Sequence, residues 1–122
     1  MVESKNKKVD LTIKGRSLNG LTSTGNIMVG DKAFEYYNEK NLRDFVQIPY
    51  TEIAYVSANV IFKKRINRFA IHTKGSGDFI FTSKDNKKVL RAINKYVDGD
   101  KLRRSLSFFE VIKRGIKNIF KK

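Results

Sequence analysis

A chain of 122 residues with 40% hydrophobic and 11% aromatic side chains has enough apolar surface for one compact core, which excludes a disordered chain. Its 26 Lys+Arg against 12 Asp+Glu give a formal charge of +14, above the magnitude of about 2–8 that suits a small soluble domain; the excess concentrated in residues 101–122 points to an anionic partner for the C-terminus, while the lysines of the first hundred residues read as keeping the domain soluble. The absence of cysteine excludes disulfides, thiol nucleophiles and thiolate metal sites.

The first ten residues lack the apolar core of a signal peptide, and no apolar run approaches a membrane span, so a soluble, cytoplasmic protein is expected. From residue 9 to residue 82 the dominant period is two. Val9, Leu11 and Ile13 alternate with polar residues, as in a half-buried strand. Residues 26–30 and 33–37 carry apolar positions on either side of Gly30 and Asp31, a hairpin turn. Residues 45–50 form a short apolar run with the only proline, Pro49, which suits a strand end or edge. Residues 53–62 form the longest strand, with Ala54, Val56, Ala58, Val60 and Phe62 on one face. After the basic turn Lys63-Lys64-Arg65 come strands at 68–74 and 79–82. Seven short strands at this spacing predict a small antiparallel barrel or sandwich.

At residue 83 the period becomes helical. Val89, Leu90, Ile93, Tyr96 and Val97 share one face, Asp85 or Ser83 caps the start, and Gly99 is the natural left-handed stop. The chain therefore divides into a domain over residues 1–98 and a basic extension over 99–122. The connector of that extension carries Lys101, Arg103 and Arg104. Residues 101–122 hold eight Lys/Arg and one acid, as much net positive charge as the rest of the chain.

The final element is predicted as an amphipathic helix over about 108–121, opened by Ser107 and Glu110 at capping-box spacing. At about 100° per residue, Phe108, Phe109, Ile112, Ile116, Ile119 and Phe120 fall within an arc of roughly 120°. Lys113, Arg114, Lys117 and Lys121 take the other side. Bulky apolar residues opposite lysines suit a helix lying in an anionic membrane interface. The same face also suits packing on the domain itself or on a second subunit, as in a homo-oligomer. Nucleic acid is the other anionic partner, although the connector is too long for a helix-turn-helix and the strands lack an aromatic RNA-binding signature.

The residues for catalysis are sparse, and no enzyme activity, cofactor or metal is expected. His72 is the only histidine, set in a strand without a recognisable base, metal or nucleophile partner in sequence, and reads as structural. The carboxylates are scattered, and Gly75-Ser76-Gly77 is too short for a phosphate loop.

Residues 48–53 (IPYTEI), 69–71 (FAI) and 78–85 (DFIFTSKD) running into a helix resemble a pleckstrin-homology-like or GRAM-like domain over residues 9–97. That resemblance implies an α+β, mainly β fold: a seven-stranded antiparallel barrel capped by one helix. Residues 25–32 (GNIMVGDK), 44–49 (DFVQIP), 68–71 (RFAI), 83–85 with 88–93 (SKD, KVLRAI), and 104–109 with 111–115 (RSLSFF, VIKRG) resemble the domain-of-unknown-function family 956 (ManO) nearly end to end. That family is typically encoded beside mannose-class sugar phosphotransferase transporters. The resemblance implies a non-enzymatic accessory or regulatory protein that binds transporter subunits or the inner membrane face. A transcriptional regulator of the same operon is the alternative it implies. It carries no catalytic residues onto this chain.

Overall fold

A computed structural model describes residues 3–61 and 65–106, the last four by backbone alone. Eight strands form one sheet: β1 (Val9–Ser17), β2 (Ser23–Gly30), β3 (Ala33–Asn38), β4 (Phe45–Pro49), β5 (Ile53–Ile61), β6 (Arg65–Thr73), β7 (Asp78–Ser83) and β8 (Leu102–Leu106). Their order is β4-β3-β2-β1-β7-β6-β5-β8. The first seven pair antiparallel, and β8 pairs parallel to β5. One helix, α1 (Asn86–Asn94), follows β7. The mainly β, seven-strand antiparallel expectation is met, with a parallel eighth strand added.

The sheet curls on itself. In a flat sheet β3 and β6, four strand spacings apart, would be separated by roughly 19 Å. Yet the rings of Phe34 on β3 and Phe69 on β6 lie 6.0 Å apart, edge to face, and Phe34 meets Phe81 on β7 at 5.0 Å. With Ile27, Val29, Tyr36, Ile48, Val56 and Ile71 they make the core. Each such side chain contributes roughly 1.5–3 kcal/mol when buried. The bend passes through Gly15, where β1 stops pairing with β2 alone and begins to pair with β7 as well. A Cβ there would lie 2.7 Å from the Thr82 carbonyl oxygen, so the corner needs glycine.

Helix α1 closes one end of the curled sheet through Val89 and Ile93, with Val97 beyond its last turn. Asp85 caps its start, accepting from the Lys88 amide at 3.1 Å. The helix stops at Asn94 rather than at Gly99: Lys95 is still right-handed, Tyr96 and Val97 donate back to Ile93, and Gly99 opens a 3-10 turn through Lys101. Burying Val97 holds the chain in that tight turn. The glycines with positive φ among the described residues are Gly20 and Gly77. Beyond the helix, Tyr96 donates to Asp10 on β1 and stacks on Tyr50 at 5.2 Å.

Two further expectations change. On β5 the buried residues are Ile53, Val56, Ala58 and Val60, whereas Ala54 is half-buried. A register irregularity between Ile53 and Tyr55 resets the alternation. The expected connector is replaced by order: Lys101 ends the 3-10 turn and Arg103 and Arg104 stand within β8. β5 offered a free row of backbone groups, and residues 102–106 satisfy it.

Residues 3–8 lie against the outward face of β3. The Asn6 carboxamide accepts from the Lys32 and Ala33 amides at 2.8 and 2.7 Å and donates to the Ala33 carbonyl at 3.0 Å. The fully buried Glu35 carboxylate accepts from Ser4, the Lys5 amide, Asn6 and the Tyr37 hydroxyl. Asp31, in the hairpin, accepts from the Lys7 and Lys8 amides. The Lys8 amide is the main reason its carboxyl titrates below the usual carboxylate range.

Candidate functional site

Two places on the second half of the sheet carry chemistry. The first is on the outward face of β5, β6 and β7. In the antiparallel register Tyr55 faces His72, and His72 faces Asp78. Ser57 stands two residues along β5 from Tyr55, on the same side of the strand, which places it diagonally across from His72. The side chains join in a row: Ser57 Oγ lies 2.8 Å from His72 Nε2, and His72 Nδ1 lies 3.0 Å from Asp78 Oδ1. Tyr55 stacks on the imidazole, ring centroids 4.0 Å apart and 15° from parallel. Only 18% of the His72 side chain is exposed, against 61% for Asp78. With the carboxylate on Nδ1, the neutral imidazole keeps its proton there and presents Nε2 as an acceptor to the Ser57 hydroxyl. Ser57 also lines a hollow of about 170 Å³ with Asn59, Arg68, Ala70 and Ile80.

The second place is where β6 begins, β7 ends and α1 starts. A basin of about 420 Å³ is lined by Arg65, Asn67, Thr82, Lys84 and Lys87, among others. A neighbouring one of about 240 Å³ shares Thr82, Ser83 and Lys84 and adds Lys14, Arg16 and Thr24. The wall between β7 and α1 is fixed by Asn86, which accepts from the Ser83 amide at 2.7 Å and donates to the Ile66 carbonyl at 2.9 Å. Among the described residues, Arg16, Arg65, Lys84 and Lys87 have no carboxylate within ion-pair distance, while Lys14 pairs with Glu39 at 2.6 Å. The one acid in these basins, Asp85, is engaged as the helix cap.

Of the residues singled out in the sequence, Lys101 sits in the 3-10 turn with Nζ 3.5 Å from the Ile53 carbonyl, and Arg103 and Arg104 lie on β8 beside Ser57 and Ala58 in register. The predicted helix bearing Phe108, Phe109, Ile112, Lys113, Arg114, Ile116, Lys117, Ile119, Phe120 and Lys121 lies outside the described residues. The last described pair of β8 sets Leu106 opposite Val60. The partners of His72, which no sequence pattern showed, are Ser57 and Asp78 from the neighbouring strands, which flank it. Strand register brings these residues together, and no local spacing signals it. The cationic basins were missed for the same reason, since Arg16, Arg65 and Lys84 are far apart in sequence.

Among the described residues no helix is long and apolar enough to cross a membrane, and no group of three His, Cys, Asp or Glu is placed to hold a metal. A family model described as "Domain of unknown function (DUF956)" matches residues 1–116. A comparison with curated proteins gives no match. Among solved structures, the chain is similar to the C-terminal domain of an unknown protein from Leishmania infantum, with a TM-score of 0.64 and 10% identity over 73% of this chain and 83% of that one. At that identity the likeness is one of fold alone.

Proposed function

The chain belongs to the DUF956 family, and from that premise we propose that it is a non-enzymatic accessory or regulatory protein of a mannose-class sugar phosphotransferase transporter. It acts at the cytoplasmic face of the membrane by docking its basic end. The fold is taken to be pleckstrin-homology-like, in keeping with the strand order, the curled sheet and the single helix closing one end.

The observation that carries the reading is the gathering of uncompensated positive charge at one end. Arg16, Arg65, Lys84 and Lys87 line two adjoining basins, β8 ends opposite Val60 near the end of β5, and the sequence after residue 106 is rich in Lys and Arg. Near an anionic leaflet each such cation contributes up to about 1 kcal/mol, a term that salt weakens. The predicted helix over 108–121 then adds apolar contact with lipid or with a transporter subunit.

The test is sedimentation of the full chain with phosphatidylcholine vesicles, with and without phosphatidylserine, over a salt series. Binding only to the anionic vesicles, reduced by the triple change Arg65→Glu, Lys84→Glu and Lys87→Glu, is expected. Truncation after Leu106, which keeps β8 whole, weakens binding further. Indifference to phosphatidylserine, or wild-type binding by the triple variant, overturns the membrane reading. Duplex DNA at matched ionic strength is the control for the transcriptional alternative.

A further inference from the structure

The row Ser57–His72–Asp78 is not needed for docking, and its geometry supports a different kind of chemistry. A serine hydroxyl is a weak nucleophile until a base takes its proton, and the base works only if a third group holds it in the right tautomer. Both conditions are met across three strands. Asp78 at 3.0 Å fixes the proton of His72 on Nδ1, Nε2 lies 2.8 Å from Ser57 Oγ, and Tyr55 stacked at 4.0 Å keeps the ring in plane. The hydroxyl is accessible from the hollow it lines with Asn59 and Arg68.

We propose that Ser57 is a covalent acceptor site that takes one acyl group from an activated donor, an acyl thioester, acyl phosphate or aryl ester, with His72 as general base. In that step the bond from Ser57 Oγ to the carbonyl carbon forms. The bond from that carbon to sulfur, phosphate or aryl oxygen breaks, its electron pair leaving with the departing group. The serine proton passes to His72 Nε2 and from there to the leaving group or to water. The product is an ester on Ser57.

The same geometry explains why the chemistry ends there. Serine hydrolases place the nucleophile on a sharp turn beside free backbone N–H groups. Here Ser57 lies within β5, between β6 and β8, where strand pairing engages the ladder N–H groups. The acyl ester therefore persists. One capture per chain is compatible with a non-enzymatic docking protein, yet the site stands whether or not the docking reading does, since it shares no residue with the basins.

The probe is p-nitrophenyl acetate on the intact chain, read by nitrophenolate release and by mass spectrometry of the Ser57 peptide. The expected result is a burst of about one equivalent with the acetyl group on Ser57. Ser57→Ala abolishes it, and His72→Gln slows it about a hundredfold or more. Asp78→Asn, at a position 61% exposed and so harmless to folding, slows it as well and decides the matter if His72→Gln proves unfolded. Acetylation confined to lysines, or a rate equal to that of the urea-unfolded chain, overturns the proposal. So does labelling of Ser57 that is indifferent to both His72→Gln and Asp78→Asn. Continuous release far beyond one equivalent also overturns it, in favour of a turning-over esterase.

Discussion

Two polar clusters sit on outward faces of the same sheet, one on each half, and they differ in what covers them. On β3, Glu35 is fully buried beneath residues 3–6 and accepts from four donors, so its hydrogen-bonding capacity is spent. On β5 to β7, Ser57, His72 and Asp78 form a comparable network over which no strap of the described residues lies, and the serine opens into a hollow. A saturated, covered cluster holds the chain together, while an uncovered one whose members have an exposed end is free to react. The difference lies in the N-terminal residues: where they lie, polarity becomes structure.

The comparison predicts unequal costs. Glu35→Ala has the largest effect, because it strands four donors in a closed space. A loss of roughly 3 kcal/mol in urea denaturation is expected, and a loss under about 1 kcal/mol would mean the strap is not holding. Asn6→Ala removes the carboxamide that clips the strap to the β2–β3 hairpin and is expected to cost about 1–2 kcal/mol, with proteolysis at residues 3–8 rising in step. His72→Gln, which loses the bonds to Ser57 and Asp78 but leaves their exposed ends to water, is expected to cost no more than about 1 kcal/mol while removing the nucleophilicity of Ser57. An equal cost for Asn6→Ala and His72→Gln would erase the distinction between the two faces.

The smallest effect concerns pH, at the seam where the end of α1 meets β1. The Tyr96 hydroxyl is the main cause of the lowered pKa of Asp10, with Lys95 adding to it. A carboxyl lowered by folding contributes stability above its unfolded pKa, and that contribution fades as pH falls through the folded value. Melting temperature should therefore drop below about pH 4 slightly more in the wild type than in Tyr96→Phe. Parallel pH curves for the two would show that the contact has no energetic consequence.

The strands were legible where alternation was clean. Val9, Leu11 and Ile13 announced β1, but its extension to Ser17 was hidden because Gly15 and Ser17 bury without being apolar. β2 likewise begins at Ser23, ahead of its apolar run, because Gly25 lies against the Tyr37 carbonyl and leaves no side chain to read. α1 was legible in its Val89, Ile93 and Val97 face and its Asp85 cap. β8 was not, since Arg103 and Arg104 read as a basic link and only a free edge on β5 makes them a strand. The Ser57–His72–Asp78 row was beyond sequence reasoning altogether: it depends on two register choices, and a slip of one residue in either would turn a member to the other face.

The parallel pairing of β8 with β5 also sets an order in time. As β1 waits for β7, so β5 must wait for residues 102–106, some forty residues further along, before its second edge is covered. At about 5–20 residues per second of synthesis the wait lasts a few seconds, during which the nascent sheet shows a bare edge. Another strand, from a neighbouring nascent copy or from elsewhere in the chain, has that interval in which to take the place of β8. The positive charges of Arg103 and Arg104 are built into the correct strand, and repulsion between identical basic segments discourages one copy from lending its last strand to another.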